Sequence, residues 1–268
     1  MNKSMKSISI LGAGWLGFSL GEKLLQLNYQ VNASTTQVEK LSAFERAGLK
    51  AFLIQLNDAD EIDLSFWTET LILSFPPGKS GDYSSYAIKV EHILKQLPET
   101  CQRVIMISST SVYPKKTGHW KEDQLFEAET PEAESILNAE EAVLSSNKQA
   151  IILRLSGLVG YDRNPARFGT SRLPANEPVN MIHRDDAIGV IIRMLELEYI
   201  EGIFNVCAPM HPNRQAFYEA GAKAMGIESP NLQTSDDALT RTIDCEKLVS
   251  ETQYVFQKEN PLDFWKVA

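Results

Sequence analysis

Short apolar runs alternate with longer segments of helical periodicity along the chain as far as Leu155. The apolar runs predict strands at Ser7–Leu11, Gln30–Ala33, Ala51–Ile54, Thr70–Phe75, Arg103–Ile107 and Ala150–Leu155. The segments between them predict helices at Trp15–Leu27, Val38–Ala47, Tyr83–Leu97 and Pro131–Ser145. Strands that alternate with helices in this way form βαβ units around a parallel sheet. The pattern therefore predicts an α/β fold with a doubly wound parallel sheet.

The amino-acid composition of the chain changes after Gly157. Residues Gly157–Pro178 are rich in Gly, Pro, Asn and Arg, and we expect a long loop of the kind that usually carries function. Further elements are predicted at Val179–Ile182 (strand), Asp185–Glu198 (helix), Ile203–Val206 (strand) and from His211 to about Met225 (helix).

Composition narrows the classes of partner. The chain has 268 residues and a formal net charge of −9, which disfavours non-specific binding to nucleic acid or to an anionic membrane surface. Its three cysteines are far apart and predict neither a disulfide framework nor a zinc site, so we expect reduced thiols and a cytoplasmic location. Lys3 and Lys6 precede an apolar run, but its glycines and its helical continuation favour structure over a targeting signal.

The first predicted strand leads directly into a glycine-rich turn. It reads Ile8-Ser9-Ile10-Leu11-Gly12-Ala13-Gly14-Trp15-Leu16-Gly17, a G-x-G-x-x-G pattern between a strand and a helix. Gly12 suits the tight turn, Gly14 the approach of a pyrophosphate, and Gly17 close packing of helix and strand. The first residues of the following helix, Trp15 and Leu16, offer free backbone N–H groups to phosphates. We predict a dinucleotide site; the alternative is a glycine turn without a ligand.

The residues after the second strand indicate which dinucleotide binds. NAD sites place a carboxylate about 20 residues after the glycines to hold the ribose 2′-hydroxyl. Here Ser34, Thr35 and Thr36 stand in that stretch, with no carboxylate and no arginine. Hydroxyl groups without negative charge tolerate a 2′-phosphate, so NADP is favoured and NAD remains the alternative.

The order of several motifs resembles one family. The matching segments are Gly12–Gly17, Ser108-Ser109-Thr110-Ser111-Val112-Tyr113, Leu153–Gly160, His183–Asp186 and Phe204-Asn205-Val206. Together they resemble the extended short-chain dehydrogenase/reductases, the NAD-dependent epimerase/dehydratase family, and most of all its atypical bacterial members of the YeeZ type. The resemblance implies a Rossmann-type sheet with a small C-terminal substrate region. Residues 1–160 would form the dinucleotide-binding core, and 161–268 would complete the same domain with substrate-region loops and helices.

The same resemblance assigns a catalytic hydroxyl and shows where the chain departs from the family. It places the family's catalytic Ser or Thr at Ser109, and its Tyr-x-x-x-Lys pair near Ser135 and Ala139, which cannot supply that chemistry. A Tyr-x-x-x-Lys spacing recurs only at Tyr254 and Lys258, well past the expected site. Ser109 would contact the bound ligand; the alternative is that the hydroxyls of 108–111 cap a strand end.

Four other residues are weaker candidates for the site. We expect Phe75, Pro76 and Ser108 to contact the cofactor, since open α/β sheets bind ligands at the carboxyl ends of their strands. Tyr113 is a second candidate acid, with a packed aromatic as the alternative.

The 157–178 loop adds a local positive charge. Arg163 and Arg167, with Arg172, form a basic patch that would bind a carboxylate or phosphate. The alternative is a solvated loop whose arginines bind no ligand. No metal site is predicted, because the four histidines lack ligand spacing.

These observations predict an NAD(P)-binding oxidoreductase or epimerase-like protein without the Tyr-x-x-x-Lys pair, acting on a small, anionic or sugar-derived substrate. The alternative is a non-catalytic NAD(P)-binding sensor or scaffold. The missing pair favours the second, and Ser109 with the basic loop favours the first. The partner predicted is a small molecule, not nucleic acid or membrane.

Overall fold

The computed structural model describes residues 6–56, 61–78, 83–168 and 173–266. Within them, strands lie at Ser7–Leu11 (β1), Gln30–Thr35 (β2), Lys50–Leu53 (β3), Thr70–Leu73 (β4), Arg103–Ser109 (β5), Gly118–Trp120 (β6), Gln149–Leu155 (β7), Gly157–Val159 (β8), Met181–His183 (β9), Gly202–Val206 (β10) and Arg241–Ile243 (β11). Helices lie at Trp15–Gln26 (α1), Val38–Arg46 (α2), Ser84–Lys95 (α3), Pro131–Leu144 (α4), Arg184–Glu196 (α5), Arg214–Met225 (α6) and Glu246–Thr252 (α7).

Seven strands form the central parallel sheet, which confirms the predicted Rossmann-type fold. Their order is β10-β7-β5-β4-β1-β2-β3. β1 pairs in parallel with β2 on one side and with β4 on the other, so the order of strands reverses at β1. A crevice opens at such a reversal, outside the carboxyl ends of the strands, and it is where open α/β sheets bind ligands.

The sequence accounts for this sheet through burial on both faces. β4 is buried along its whole length, as a strand covered by helices on both sides requires. On α1, Leu16, Leu20 and Leu24 recur every fourth position and are all buried. A β-carbon at Gly17 would lie 3.1 Å from the side chain of Ile10, so a glycine there lets α1 pack closely on β1.

The structure differs from the predicted elements in several places. β5 continues through Ser109, two residues beyond its predicted end. The expected loop 157–178 begins with a strand, because β8 pairs with β9; residues 169–172 of that loop, with Arg172, lie outside the described residues. The short strands β6 and β11 and the helix α7 were not predicted, since three to seven residues are too few to show a clear period.

The chain divides into two compact units: Met1–Val112 with Ala128–Leu153 and Glu198–Ile203, and Tyr113–Glu127 with Arg154–Leu197 and Phe204–Ala268. The second unit has its own hydrophobic core, which includes Val159, Val179, Phe217, Leu232 and Phe264. The functional division predicted at residue 160 stays a prediction. None of the described helices is long and apolar enough to cross a membrane.

Candidate functional site

The glycine turn after β1 is held by the fold itself. Gly12 has a φ of +86°, and a β-carbon on it would lie 2.7 Å from the β-carbon of Phe75. Its N–H donates to Ser34 Oγ at 2.9 Å, and the N–H of Ala13 donates to the Ser34 carbonyl at 2.8 Å. Only glycine fits this backbone conformation beside Phe75 without strain.

Gly14 behaves differently, because packing does not require a glycine there. A β-carbon at this position would meet no atom within 4 Å, and its φ of −77° is negative, unlike that of Gly12. Gly14 precedes α1, whose first turn has neither a side-chain cap nor an acidic residue. Open space beside an uncapped helix N-terminus fits a bound phosphate, since the N–H groups and the helix dipole both favour an anion.

A pocket of about 260 Å³ lies within the first unit at the carboxyl ends of β1 to β4. The described residues that line it are Leu11, Gly12, Ser34, Thr35, Thr36, Ile54, Leu56, Phe75, Pro76, Gly78, Ser85, Tyr86 and Lys89. Apolar side chains from several strand ends make up much of the wall, as in sites for the flat ring of a nucleotide. The glycine turn, the uncapped helix and this pocket together fit a dinucleotide.

The three hydroxyl residues at the end of β2, Ser34, Thr35 and the following Thr36, all line the pocket but make different contacts. Ser34 is buried, and its oxygen accepts from Gly12. Thr35 is also buried, and its oxygen accepts from the N–H of Gln37 at 3.2 Å. Thr36 is exposed, so it is the one of the three that faces solvent and an incoming ligand.

The structure brings together many of the predicted cofactor residues. Gly12, the three hydroxyls, Phe75 and Pro76 line the pocket, whereas Gly14 precedes α1 and Trp15, Leu16 and Gly17 lie in its first turn. Sequence reasoning missed lining residues after β3, after β4 and on α3, which are Ile54, Leu56, Gly78, Ser85, Tyr86 and Lys89. Their signal was topological: in a sheet that reverses at β1, the ends of β3 and β4 flank the same crevice.

Ser108 lies on β5 and is a predicted cofactor contact. Its hydroxyl forms a hydrogen bond within the protein. It donates to the carboxylate of Glu140 on α4, and the two residues are 7% and 2% exposed. Burial raises the pKa of the neighbouring Tyr86, and the charge of Glu140 raises it further. A ligand contact from Ser108 would have to share the hydroxyl with Glu140, and this role stays a prediction.

Ser109, the predicted catalytic hydroxyl, ends β5 and is half-buried. Its Oγ accepts from the N–H of Ser111 at 3.1 Å, at the start of a turn that spans Thr110–Val112. The contact supports the strand-cap alternative, while the partial exposure leaves the hydroxyl accessible to a ligand. Both interpretations of Ser109 remain open to test.

The two positions on α4 near which the family has Tyr and Lys are buried in this chain. Ser135 is buried, and its hydroxyl donates to the Tyr83 carbonyl. Ala139 is fully buried. Neither position offers a proton or a charge to a ligand.

Tyr113, the second candidate acid, lies in the second unit and is 1% exposed. Its hydroxyl accepts from Arg154 Nη1 at 3.0 Å and donates to Asn205 Oδ1 at 2.8 Å. Its ring packs on Trp120 and Phe126. Burial raises the pKa of Tyr113 despite the nearby Arg154, so this environment favours the packed alternative over an acid–base role.

The Tyr254–Lys258 spacing in the C-terminal tail has a structural explanation. Tyr254 Oη donates to the buried carboxylate of Asp186 at 2.9 Å, and Lys258 Nζ donates to the Lys266 carbonyl at 3.3 Å. Burial, and then the charge of Asp186, raises the pKa of Tyr254. A catalytic tyrosine needs a lowered pKa, so this pair does not reproduce the family's site.

The described arginines of the 157–178 loop are exposed. Arg163 exchanges backbone hydrogen bonds of 2.8 and 3.2 Å with Gly160, and Arg167 lies in a short turn at Pro165–Phe168. Between them and β8, Tyr161 donates its hydroxyl to the Asp185 carboxylate at 2.8 Å. Binding of an anion by Arg163 and Arg167 stays a prediction.

Comparison with known proteins places the chain among proteins of nearly the same length. No protein-family model matches it. Protein YeeZ of Escherichia coli K12 is 30% identical over 269 residues, which cover 96% of this chain and 98% of that protein.

Solved structures share the fold at lower identity. UDP-glucuronic acid 4-epimerase from Bacillus cereus, in complex with NAD, gives a TM-score of 0.79 at 18% identity, covering 97% of this chain and 96% of that one. The Bordetella bronchiseptica enzyme WbmG, also in complex with NAD, gives 0.80 at 18% identity, covering 98% and 93%.

Proposed function

Since the chain belongs to the YeeZ family and has the fold of NAD-dependent epimerases, we propose that it binds NADP or NAD as an oxidoreductase or epimerase-like enzyme. The open space at Gly14 carries this proposal. Open space beside a glycine, at the N-terminus of a helix without a side-chain cap, suits a bound phosphate.

Each part of the proposed cofactor has a matching part of the chain. The N–H groups of α1 would hold the pyrophosphate, and the apolar residues Ile54, Leu56 and Phe75 would enclose the adenine. A nicotinamide bound at the carboxyl end of β5 would supply hydride transfer. We propose NADP as the preferred form, because none of the described residues that line the pocket carries a carboxylate that would repel a 2′-phosphate.

The proton-transfer step needs a different group in this chain than in proteins that carry the Tyr-x-x-x-Lys pair. Four described tyrosines have shifted pKa values, Tyr86, Tyr113, Tyr161 and Tyr254, and every shift is upward. A phenol with a raised pKa is a poor base near neutral pH. We therefore propose that Ser109 orients the substrate by hydrogen bonding and that water carries the proton.

The proposed substrate is a small anionic or sugar-derived molecule. The B. cereus relative by fold is an epimerase of UDP-glucuronic acid, a substrate with phosphates and a carboxylate. Arg163 and Arg167 are exposed cations on an otherwise acidic protein and suit such groups.

A non-catalytic NAD(P) sensor is the second candidate. It is favoured by the helix α4, where the buried Ser135 and Ala139 have lost the reactive groups of the family. A sensor would need the cofactor site but neither an acid nor a base.

Calorimetric titration with NADPH and NADH tests the cofactor proposal. We expect at least one of them to bind the wild-type protein. Gly14→Val should weaken binding by orders of magnitude while the circular dichroism spectrum stays unchanged, because the new side chain would extend into the open space where we propose the phosphate binds. A wild-type protein that ignores both nucleotides would contradict the proposal.

A further inference from the structure

One charged residue stands out among the described residues that line the pocket. Lys89 is the one positively charged residue among the described lining residues, and none of them is Asp or Glu. It lies on α3 together with Ser85 and Tyr86, at positions that share one face of the helix. α3 therefore directs a positive charge to the same pocket that the ends of β1, β2 and β3 enclose.

Lys89 has no partner among the residues that the structure describes. Other lysines do: Lys95, two turns further along α3, lies 3.9 Å from Glu91, and Lys121 lies 3.4 Å from Asp244. A half-buried ammonium group is more stable with an anion beside it than without one. A ligand that fills the pocket can supply that anion.

The position of the pocket identifies which anion a bound dinucleotide would offer. The pyrophosphate belongs at the glycine turn and α1, on one side of the site. In a bound dinucleotide the end of β2 would face the adenosine ribose, and there Ser34 and Thr35 already hold backbone groups, so the exposed Thr36 is the remaining hydroxyl. A hydroxyl alone does not balance a phosphate dianion, and residues 34–37 contain no cation.

We propose that Lys89 recognises the 2′-phosphate of NADP and so determines the preference for NADP over NAD. The inference rests on the proposed dinucleotide site and adds its specificity-determining residue. Helix α3 then supplies the charge that Rossmann proteins with an arginine after β2 take from that loop. Lysine acts as a compact point charge, so the preference should weaken as ionic strength rises.

Two nucleotides that differ only at the 2′ position provide the probe. Adenosine 2′,5′-bisphosphate and adenosine 5′-monophosphate would each be titrated calorimetrically into wild type, Lys89→Met, Lys89→Arg and Lys95→Met. Lys95 is the matched control, because it is a lysine of the same helix outside the pocket.

We expect wild type to prefer the bisphosphate by at least about tenfold, the effect of one charge-assisted contact. Lys89→Met should bring the ratio of the two dissociation constants close to one while binding of the monophosphate changes less than about threefold. Lys89→Arg and Lys95→Met should keep the wild-type ratio within about threefold. High salt should reduce the wild-type ratio and leave that of Lys89→Met unchanged.

Distinct outcomes overturn the two proposals. If wild type binds both nucleotides equally, or Lys89→Met keeps the full preference, Lys89 does not recognise the 2′-phosphate and the dinucleotide site still stands. Equal loss of both nucleotides in a folded Lys89→Met protein also contradicts the inference. If wild type binds neither probe and neither NADPH nor NADH, the dinucleotide proposal itself fails.

Discussion

The N–H of Gly12 donates to the hydroxyl of Ser34, 2.9 Å away and 22 residues further along the chain. This bond ties the glycine turn after β1 to the end of β2, the strand that pairs with β1. A hydroxyl expected to meet the cofactor therefore builds the turn on which the cofactor would lie.

Ser34→Ala should lower the free energy of unfolding by about 1 to 2 kcal/mol, because the N–H of Gly12 would lose its partner in a partly buried place. Urea denaturation measures this. Thr36→Ala is the control, since Thr36 is exposed and should change stability by less than about 0.5 kcal/mol. Equal effects of the two substitutions would show that the bond to Gly12 contributes nothing.

Gly12→Ala and Gly14→Ala should separate packing from ligand binding. At Gly12, a positive φ and contact with Phe75 should destabilise the protein by about 1 to 3 kcal/mol. At Gly14, where φ is negative and the space beside the backbone is open, the loss of stability should be smaller than at Gly12. Thermal unfolding compares them, and a larger loss at Gly14 would refute this assignment of roles.

Ser108 and Ser109 are neighbours whose alanine variants should act on different properties. Ser108→Ala removes a buried hydrogen bond to Glu140 and should cost about 1 to 3 kcal/mol of stability. Ser109→Ala should weaken ligand binding or turnover by about 1 kcal/mol or more and change stability less. Denaturation and calorimetry on both variants decide this. A Ser109→Ala protein that changes only in stability would identify the hydroxyls as a strand cap.

Asp186 should anchor the C-terminal tail. Its fully buried carboxylate accepts from Tyr254 Oη and from the N–H groups of Gln257 and Lys258, at 2.9, 2.7 and 3.0 Å. Asp186→Asn turns one acceptor oxygen into a donor facing these donors, and should cost about 2 to 4 kcal/mol. Hydrogen exchange at 257 and 258 should accelerate; unchanged protection there would argue against an anchor.

Acidification should destabilise the protein through its half-buried His211. Burial lowers the pKa of His211 from 6.5, although its hydrogen bond to the Val179 carbonyl opposes the shift. Below about pH 6.5 the unfolded chain therefore binds a proton that the folded chain does not. The contribution of His211 is fully present above that pH and is lost as the pH falls toward the folded pKa.

Titration of His211 should make the free energy of unfolding change with pH by at most about 1.4 kcal/mol per pH unit. Urea denaturation between about pH 7 and pH 5 measures the slope, and His211→Gln should reduce it. His183, whose pKa burial also lowers, would account for part of what remains. A slope unaffected by His211→Gln would show that His211 titrates alike in both states.

The parallel sheet and the glycine turn could be predicted from the sequence alone. Continuous apolar runs and helical periodicity are local properties, so β1, α1 and their successors follow from residues near one another. The role of Gly12 follows equally from the G-x-G-x-x-G spacing, and the turn forms where that spacing places it.

Contacts between side chains of distant segments could not be predicted from the sequence and are seen in the folded protein. Ser34 bonds to Gly12, Glu140 on α4 bonds to Ser108 on β5, and Lys89 on α3 lines the same pocket as Thr36. Each of these pairs joins residues from separate elements, brought together by the order of strands in the sheet. Sequence periodicity specifies which face of an element is buried, whereas the partner across that face depends on how the elements pack.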